Sequence, residues 1–161
     1  MRLLLKSEMI LINFAIMNNM RFQKECVVET TDSKIKFEEK RKVIIFHNPQ
    51  RKSCLKVQVD GCVIKSTQET KCDNLLVEAN GNEHFVELKG TDVAHALKQL
   101  DGTILKLTDK ANKTKKVFAY VVCTNMAPQI SGFVQKMKAK FLTQYKAKLD
   151  IRERRLETNI S

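Results

Sequence analysis

The sequence predicts an α/β protein with a mixed central β-sheet flanked by helices, and three stretches predict it. Within residues 71–90, two β-favouring runs flank the pair Asn80-Gly81, the strongest short-range signal for a hairpin of antiparallel strands. From Asp92, apolar residues recur at helical spacing. Residues 117–123 are then uninterrupted apolar or aromatic, the mark of a central strand buried on both faces. Strand, helix and strand in succession imply a right-handed crossover, so parallel pairing joins the antiparallel pairing in one sheet. With 161 residues, 43% of them hydrophobic, the chain suffices for one core, and residues 21–161 read as a single domain.

Residues 1–20 read as an N-terminal extension or helix. Their apolar run, residues 9–17, is interrupted by Asn13, is too short for a membrane span and lacks a small-residue cleavage site, so a helix packing on the sheet or a start at Met20 is expected instead. Residues 34–40 and 41–47 read as extended. The second run, with Val43, Ile44, Ile45 and Phe46, suits a buried strand that Asn48-Pro49 ends. Over residues 55–64, Leu55, Val57 and Val59 alternate with Lys56, Gln58 and Asp60, as in a half-buried antiparallel strand, with Gly61 marking a bulge.

After Gly90, Thr91 or Asp92 can cap a helix whose buried side is Val93, Ala96, Leu97, Leu100 and Ile104. Asp92, His95 and Gln99 share a stripe on its flank. Pro128 and Ser131 open a second helix over about residues 131–148, with Phe133, Val134, Met137, Phe141, Leu142 and Tyr145 inward and lysines outward. Residues 149–160 return as an edge strand. Two prolines and five glycines leave no long flexible linker.

The hairpin also carries the candidate chemistry. Asp73 opens its first strand, and Glu87 and Lys89, two apart and therefore on one face, close its second. A Glu-x-Lys alone is usually a solvated charge pair. Here it lies within the apolar run Phe85, Val86 and Leu88, directly before a helix. Two carboxylates at one end of a hairpin suit a hard divalent cation, and a neighbouring ammonium can act on water or on phosphate charge.

This pattern resembles the PD-(D/E)xK nuclease superfamily, with an Asp on one strand, Glu-x-Lys on the next and a helix after it. The resemblance covers residues 60–124, about two-fifths of the chain. It implies a restriction-endonuclease-like core, Mg or Mn bound by Asp73 and Glu87, catalysis assisted by Lys89, and a glutamine, Gln99, that orients the lysine or contacts substrate. Cys72 stands where the superfamily usually has proline, and no upstream acidic residue is assigned. The small size is similar to that of Holliday junction resolvases and defence-associated nucleases. For the two carboxylates to share one ion, Asp73 is expected to pair near Lys89 across a three-residue or bulged loop.

Charge agrees with a polyanionic partner. Lys and Arg number 29 against 18 Asp and Glu, a net charge of +11. Residues 111–161 hold eleven basic and three acidic residues, so nucleic-acid backbone contacts, with DNA the expected partner ahead of RNA, are expected from Lys136, Lys140, Lys148, Arg152, Arg154 and Arg155. Five cysteines, an odd number without a Cys-x-x-Cys pair, read as reduced, buried thiols of a cytoplasmic protein without a membrane segment. Walker loops, G-x-S-x-G elbows and His-Glu-x-x-His helices are absent from the sequence. The expected activity is metal-dependent phosphodiester cleavage, by a two-fold homodimer if both strands are cut. The alternative is a non-catalytic nucleic-acid-binding module of the same fold.

Overall fold

Two sheets, rather than one, emerge from the alternation of buried and exposed residues. The computed structural model describes residues 6, 8, 9 and 21–161, so the reading of residues 1–20 lies outside it except that Lys6, Glu8 and Met9 are helical. The strands are β1 (Val27–Thr30), β2 (Lys34–Glu39), β3 (Lys42–His47), β4 (Cys54–Gln58), β5 (Asn74–Glu78), β6 (Glu83–Lys89), β7 (Val117–Cys123), β8 (Ala147–Glu153) and β9 (Arg155–Asn159). The longer helices are α1 (Val93–Leu107) and α2 (Ser131–Tyr145).

A six-stranded sheet runs β1-β4-β5-β6-β7-β8, and a three-stranded sheet runs β2-β3-β9. In the first, the pairs from β1 to β6 are antiparallel, whereas β6–β7 and β7–β8 are parallel, giving the mixed sheet. The helices do not flank it on both sides. α1 and α2 share one core with Leu75, Val77, Phe85, Ala119, Val121 and Leu149. The physical reason is topological: β6, β7 and β8 are laid down successively in one direction, and crossovers of one hand then leave both helices on one face.

The other face is covered by the small sheet. Leu76, Val86, Leu88, Tyr120 and Val122 meet Ile35, Ile44, Phe46 and Leu156 there. Within this core, His84 stacks on Phe118 at 4.7 Å and shares a 2.6 Å hydrogen bond with Glu78. Its other ring nitrogen lies 3.1 Å from the Tyr120 hydroxyl. These buried polar groups have partners, as burial requires.

Several local readings hold and others change. Asp92 caps α1, its carboxylate accepting from the His95 N–H at 2.9 Å, and Val93, Ala96, Leu97, Leu100 and Ile104 are buried. Each large aliphatic side chain buried this way contributes about 1.5–3 kcal/mol. Gly61 is not a strand bulge: β4 ends at Gln58, and Asp60-Gly61 forms a turn with Gly61 at φ 75°. α2 ends at Tyr145 because Lys146 turns left-handed at φ 55°, so Lys148 belongs to β8 and not to the helix. The C-terminal segment forms two strands. Between them the Arg154 backbone bridges the sheets, donating to Cys123 O at 2.7 Å and accepting from Val43 N at 3.0 Å.

The thiol reading is also corrected. Cys26 and Cys62 form a disulfide, with Cα atoms 5.5 Å apart, while Cys54, Cys72 and Cys123 are free and buried. Partners 36 residues apart are invisible to local spacing. They meet because β1 pairs with β4 and the turn after β4 doubles back. Reduction, or replacing both residues by serine, is expected to lower the unfolding free energy by about 2–4 kcal/mol through the lost loop constraint. Urea midpoints with and without reductant measure it, and identical midpoints contradict it.

Candidate active site

Asp73 lies immediately before β5, and Glu87 and Lys89 lie at the end of β6. Residues 79–82 join the strands, and because Glu78 N donates to Asn82 O at 2.9 Å and extends the pairing by one step, the loop proper is the three residues 79–81, with Gly81 N donating to Glu78 O at 2.8 Å and Gly81 at φ 90°. The register pairs Asn74 with Val86, which sets Asp73 opposite Glu87 and not near Lys89 as expected. The parity is unchanged by this two-residue difference, so all three residues fall on the face of Leu75 and Phe85, toward the helices.

The carboxylates are interlaced across the strands. Asp73 N donates to Glu87 Oε2 at 3.1 Å, and Leu88 N donates to Asp73 Oδ2 at 2.7 Å. Glu87 is only 2% exposed. Burial foremost, then the neighbouring Asp73 charge, pushes the Glu87 carboxyl up to about 8. Burial likewise raises Asp73 to about 6, opposed by the Leu88 hydrogen bond and reinforced by the charges of Glu39 and Asp60. Lys89 favours the ionised form of both, yet forms no ion pair with either.

A buried and a half-buried carboxyl that resist ionising together, without a direct counter-ion, are a site that a cation relieves. One oxygen of each carboxylate already accepts a backbone N–H, and the other has no hydrogen-bond donor among the described residues. The donors are all oxygen, which fits Mg or Mn rather than a thiophilic metal. Among the described residues no three His, Cys, Asp or Glu gather as a metal cage. An ion held by these two carboxylates alone would keep water or substrate oxygens in its remaining positions, as magnesium commonly does.

Gln99 does not reach the carboxylates by any hydrogen bond. Its Nε2 donates to Lys71 O at 3.1 Å, and its buried Oε1 has no partner. One turn on, Thr103 accepts from Cys72 N at 2.7 Å. α1 thus anchors the segment leading into Asp73 through Gln99 and Thr103. Asp92 is occupied as a helix cap, and His95 is exposed.

Sequence reasoning missed the turn after β4. Val59 N and Asp60 N both donate to Asp73 O, at 3.0 and 3.3 Å, and Asp60 lies 3.5 Å from the Lys71 ammonium. The Asp60-Gly61 dipeptide was the signal, masked by the alternation before it.

The basic residues do not form one helical face. Lys136 and Lys140 lie on α2, and Lys140 is paired with Asp101 at 2.5 Å. Ala147, Leu149 and Ile151 of β8 enter the helix-side core, so Lys148 and Arg152 project from the opposite face. Arg152 lies 3.5 Å from Asp150, and Arg155 lies 2.5 Å from Glu157. Lys89, Cys123 and Glu153 are in register, which places Arg152 and Arg154 at the same sheet end as the carboxylates.

No family model, curated protein or solved structure matches this chain. The site is therefore tested on its own chemistry. A carboxyl raised in the folded state favours folding while protonated, so the pair's contribution to stability falls as pH rises from the ordinary values, 3.8 and 4.5, through about 6 and about 8. Glu87→Gln is expected to raise the metal-free melting temperature at about pH 8 and to flatten its decline above about pH 5.5. A melting profile over this range that the substitution leaves unchanged contradicts the assignment.

Proposed function

We propose that the protein is a metal-dependent phosphodiesterase acting on DNA. The single observation that carries this reading is the Asp73–Glu87 pair, interlaced at the end of a hairpin with Lys89 on the same face. Asp73 and Glu87 would hold Mg or Mn. The ion would supply a polarised water and charge neutralisation at phosphate. Lys89 orients or helps deprotonate that water, or stabilises charge developing on the phosphate oxygens during in-line attack. Gln99 and Thr103 hold the Lys71–Cys72 backbone that leads into Asp73.

The order β5, β6, α1, β7, with β6 and β7 parallel, supports a restriction-endonuclease-like core. Sites of open α/β sheets lie beyond the carboxyl ends of parallel strands, which is where this one lies. Symmetric cutting of a duplex needs two such sites, hence a two-fold dimer. No helix among the described residues is long and apolar enough to cross a membrane. The expected cytoplasmic location leaned on reduced thiols, and the Cys26–Cys62 bond removes that support. The near-complete burial of Glu87 favours the rival reading, a nucleic-acid-binding module that does not cut.

Incubation with plasmid, single-stranded and branched DNA, with Mg or Mn and with chelator, separates the two. Cleavage is expected only with metal. Lys89→Ala is expected to abolish cleavage with DNA binding largely kept, because one basic residue is lost among many. Asp73→Asn is expected to weaken metal binding and cleavage together. Undiminished cleavage in either variant means that the residues are wrongly assigned.

The split of the basic residues yields a second expectation. Arg152→Gln with Arg154→Asn, the latter suited to φ 63°, is expected to reduce the salt slope of DNA binding by about two. Lys148→Gln, at the far end of β8, changes it less. Equal slopes for parent and double variant place the DNA surface elsewhere.

A further inference from the structure

A concave surface lies at the other end of the parallel strands, about 20 Å along β6 from Lys89 by the rise of a strand. Its volume is about 470 Å³, and it is formed by the end of α1, the 108–116 loop and the end of α2. That volume falls within the range of about 300–1,000 Å³ usual for small-ligand sites. Leu105, Val117 and Tyr145 supply its apolar lining, and Leu105 is 55% exposed. Lys110, Lys113, Lys115 and Lys146 converge on it, with no acidic side chain in the lining.

Lysines near helix carboxyl ends have an ordinary explanation, since they offset the macrodipole. Magnitude decides against that as a full account. Two helix ends carry about half a negative charge each, whereas three lysines besides the engaged Lys115 line the hollow. Lys115 is engaged, with its Nζ bonded to Asp109 O and Asn112 O and 3.7 Å from Glu83. Lys110, Lys113 and Lys146 have no ion pair or hydrogen bond from their ammonium groups among the described residues.

The loop bearing Lys110 and Lys113 is held in place rather than left slack. Fully buried Glu83 accepts from Thr108 Oγ1 at 2.9 Å and from Asp109 N at 3.1 Å, and Arg21 pairs with it at 2.9 Å. Asn112 Oδ1 accepts from Thr114 and Lys115. Unpaired lysines around an apolar floor suit a ligand with a flat apolar part and a phosphate.

We propose that this cavity binds a nucleotide, its phosphate against Lys110, Lys113 and Lys146 and its base against Leu105 and Tyr145. The ligand is either a free mononucleotide or the phosphorylated end of a strand. The site stands independently of the phosphodiesterase reading, because it shares no residue with Asp73, Glu87 or Lys89.

Calorimetric titration of the full chain with each nucleoside monophosphate, and with inorganic phosphate, tests it. Saturable binding of a nucleotide, tighter than that of phosphate by at least about tenfold, is expected. Lys113→Gln with Lys146→Asn should weaken it at least about tenfold while leaving the melting temperature unchanged. Asp73→Asn should leave it unaffected, which separates this site from the carboxylate centre. Competition by a 5′-phosphorylated oligonucleotide, against the same strand without the phosphate, identifies a strand end as the source, and its absence identifies the free nucleotide. Absence of saturable nucleotide binding, equal affinity for inorganic phosphate, or binding indifferent to the lysine substitutions overturns the proposal.

Discussion

The pairing register of β5 and β6 is the constraint on which the site depends. It sets Asp73 opposite Glu87 and commits both to the helix-facing side of the sheet. A slip of one residue would send Asp73 to the opposite face, among Leu76, Val86 and Leu88. The three-residue loop with Gly81 at φ 90° fixes that register, and a Cβ there would come within 2.3 Å of the Asn112 side chain. The same register carries an electrostatic burden. Buried Glu87 and half-buried Asp73, side by side, resist ionisation together, and the charges of Glu39 and Asp60 add to the repulsion on Asp73. Pairs of this kind are poor devices for stability and are characteristic of functional sites.

The fold around this corner keeps it rigid from three directions. α1 holds the Lys71–Cys72 backbone through Gln99 and Thr103. The turn after β4 grips Asp73 O, and that turn is itself tied to the start of β1 by the Cys26–Cys62 bond. β7 pairs in parallel along the whole of β6. The parallel strands also give the molecule two chemically distinct ends. One gathers acidic groups with Arg152 and Arg154, and the other gathers lysines around an apolar hollow.

Much of this was legible because local chemistry and long-range structure agree. Asn80-Gly81, the Asp92 cap with its buried stripe, and the apolar run of β7 each act through near neighbours, and each appears where the sequence places it. The remainder depended on backbone conformations that the residue types conceal. Lys40 and Arg41 both adopt positive φ, at 43° and 65°, to close the β2–β3 hairpin without glycine or asparagine. Lys146 and Arg154 do the same at the ends of α2 and β8, so neither the early start of β8 nor the crossing into the second sheet left a sequence signal. The small sheet was hidden for a further reason: β9 pairs in parallel with β3 from more than a hundred residues away. The basic face divided because strand alternation, and not helical periodicity, governs Lys148 and Arg152.

The central claim is that the Asp73–Glu87 pair exists to hold a divalent cation, and proton release on metal binding tests it most directly. Titration of the protein with Mn at about pH 7, in two buffers of different ionisation enthalpy, reports both the binding and the protons displaced. With Glu87 raised to about 8, the account predicts binding of about one ion per chain with release of about one proton, and loss of that release in Glu87→Gln. Absence of binding, or binding with the same proton balance in parent and variant, contradicts it.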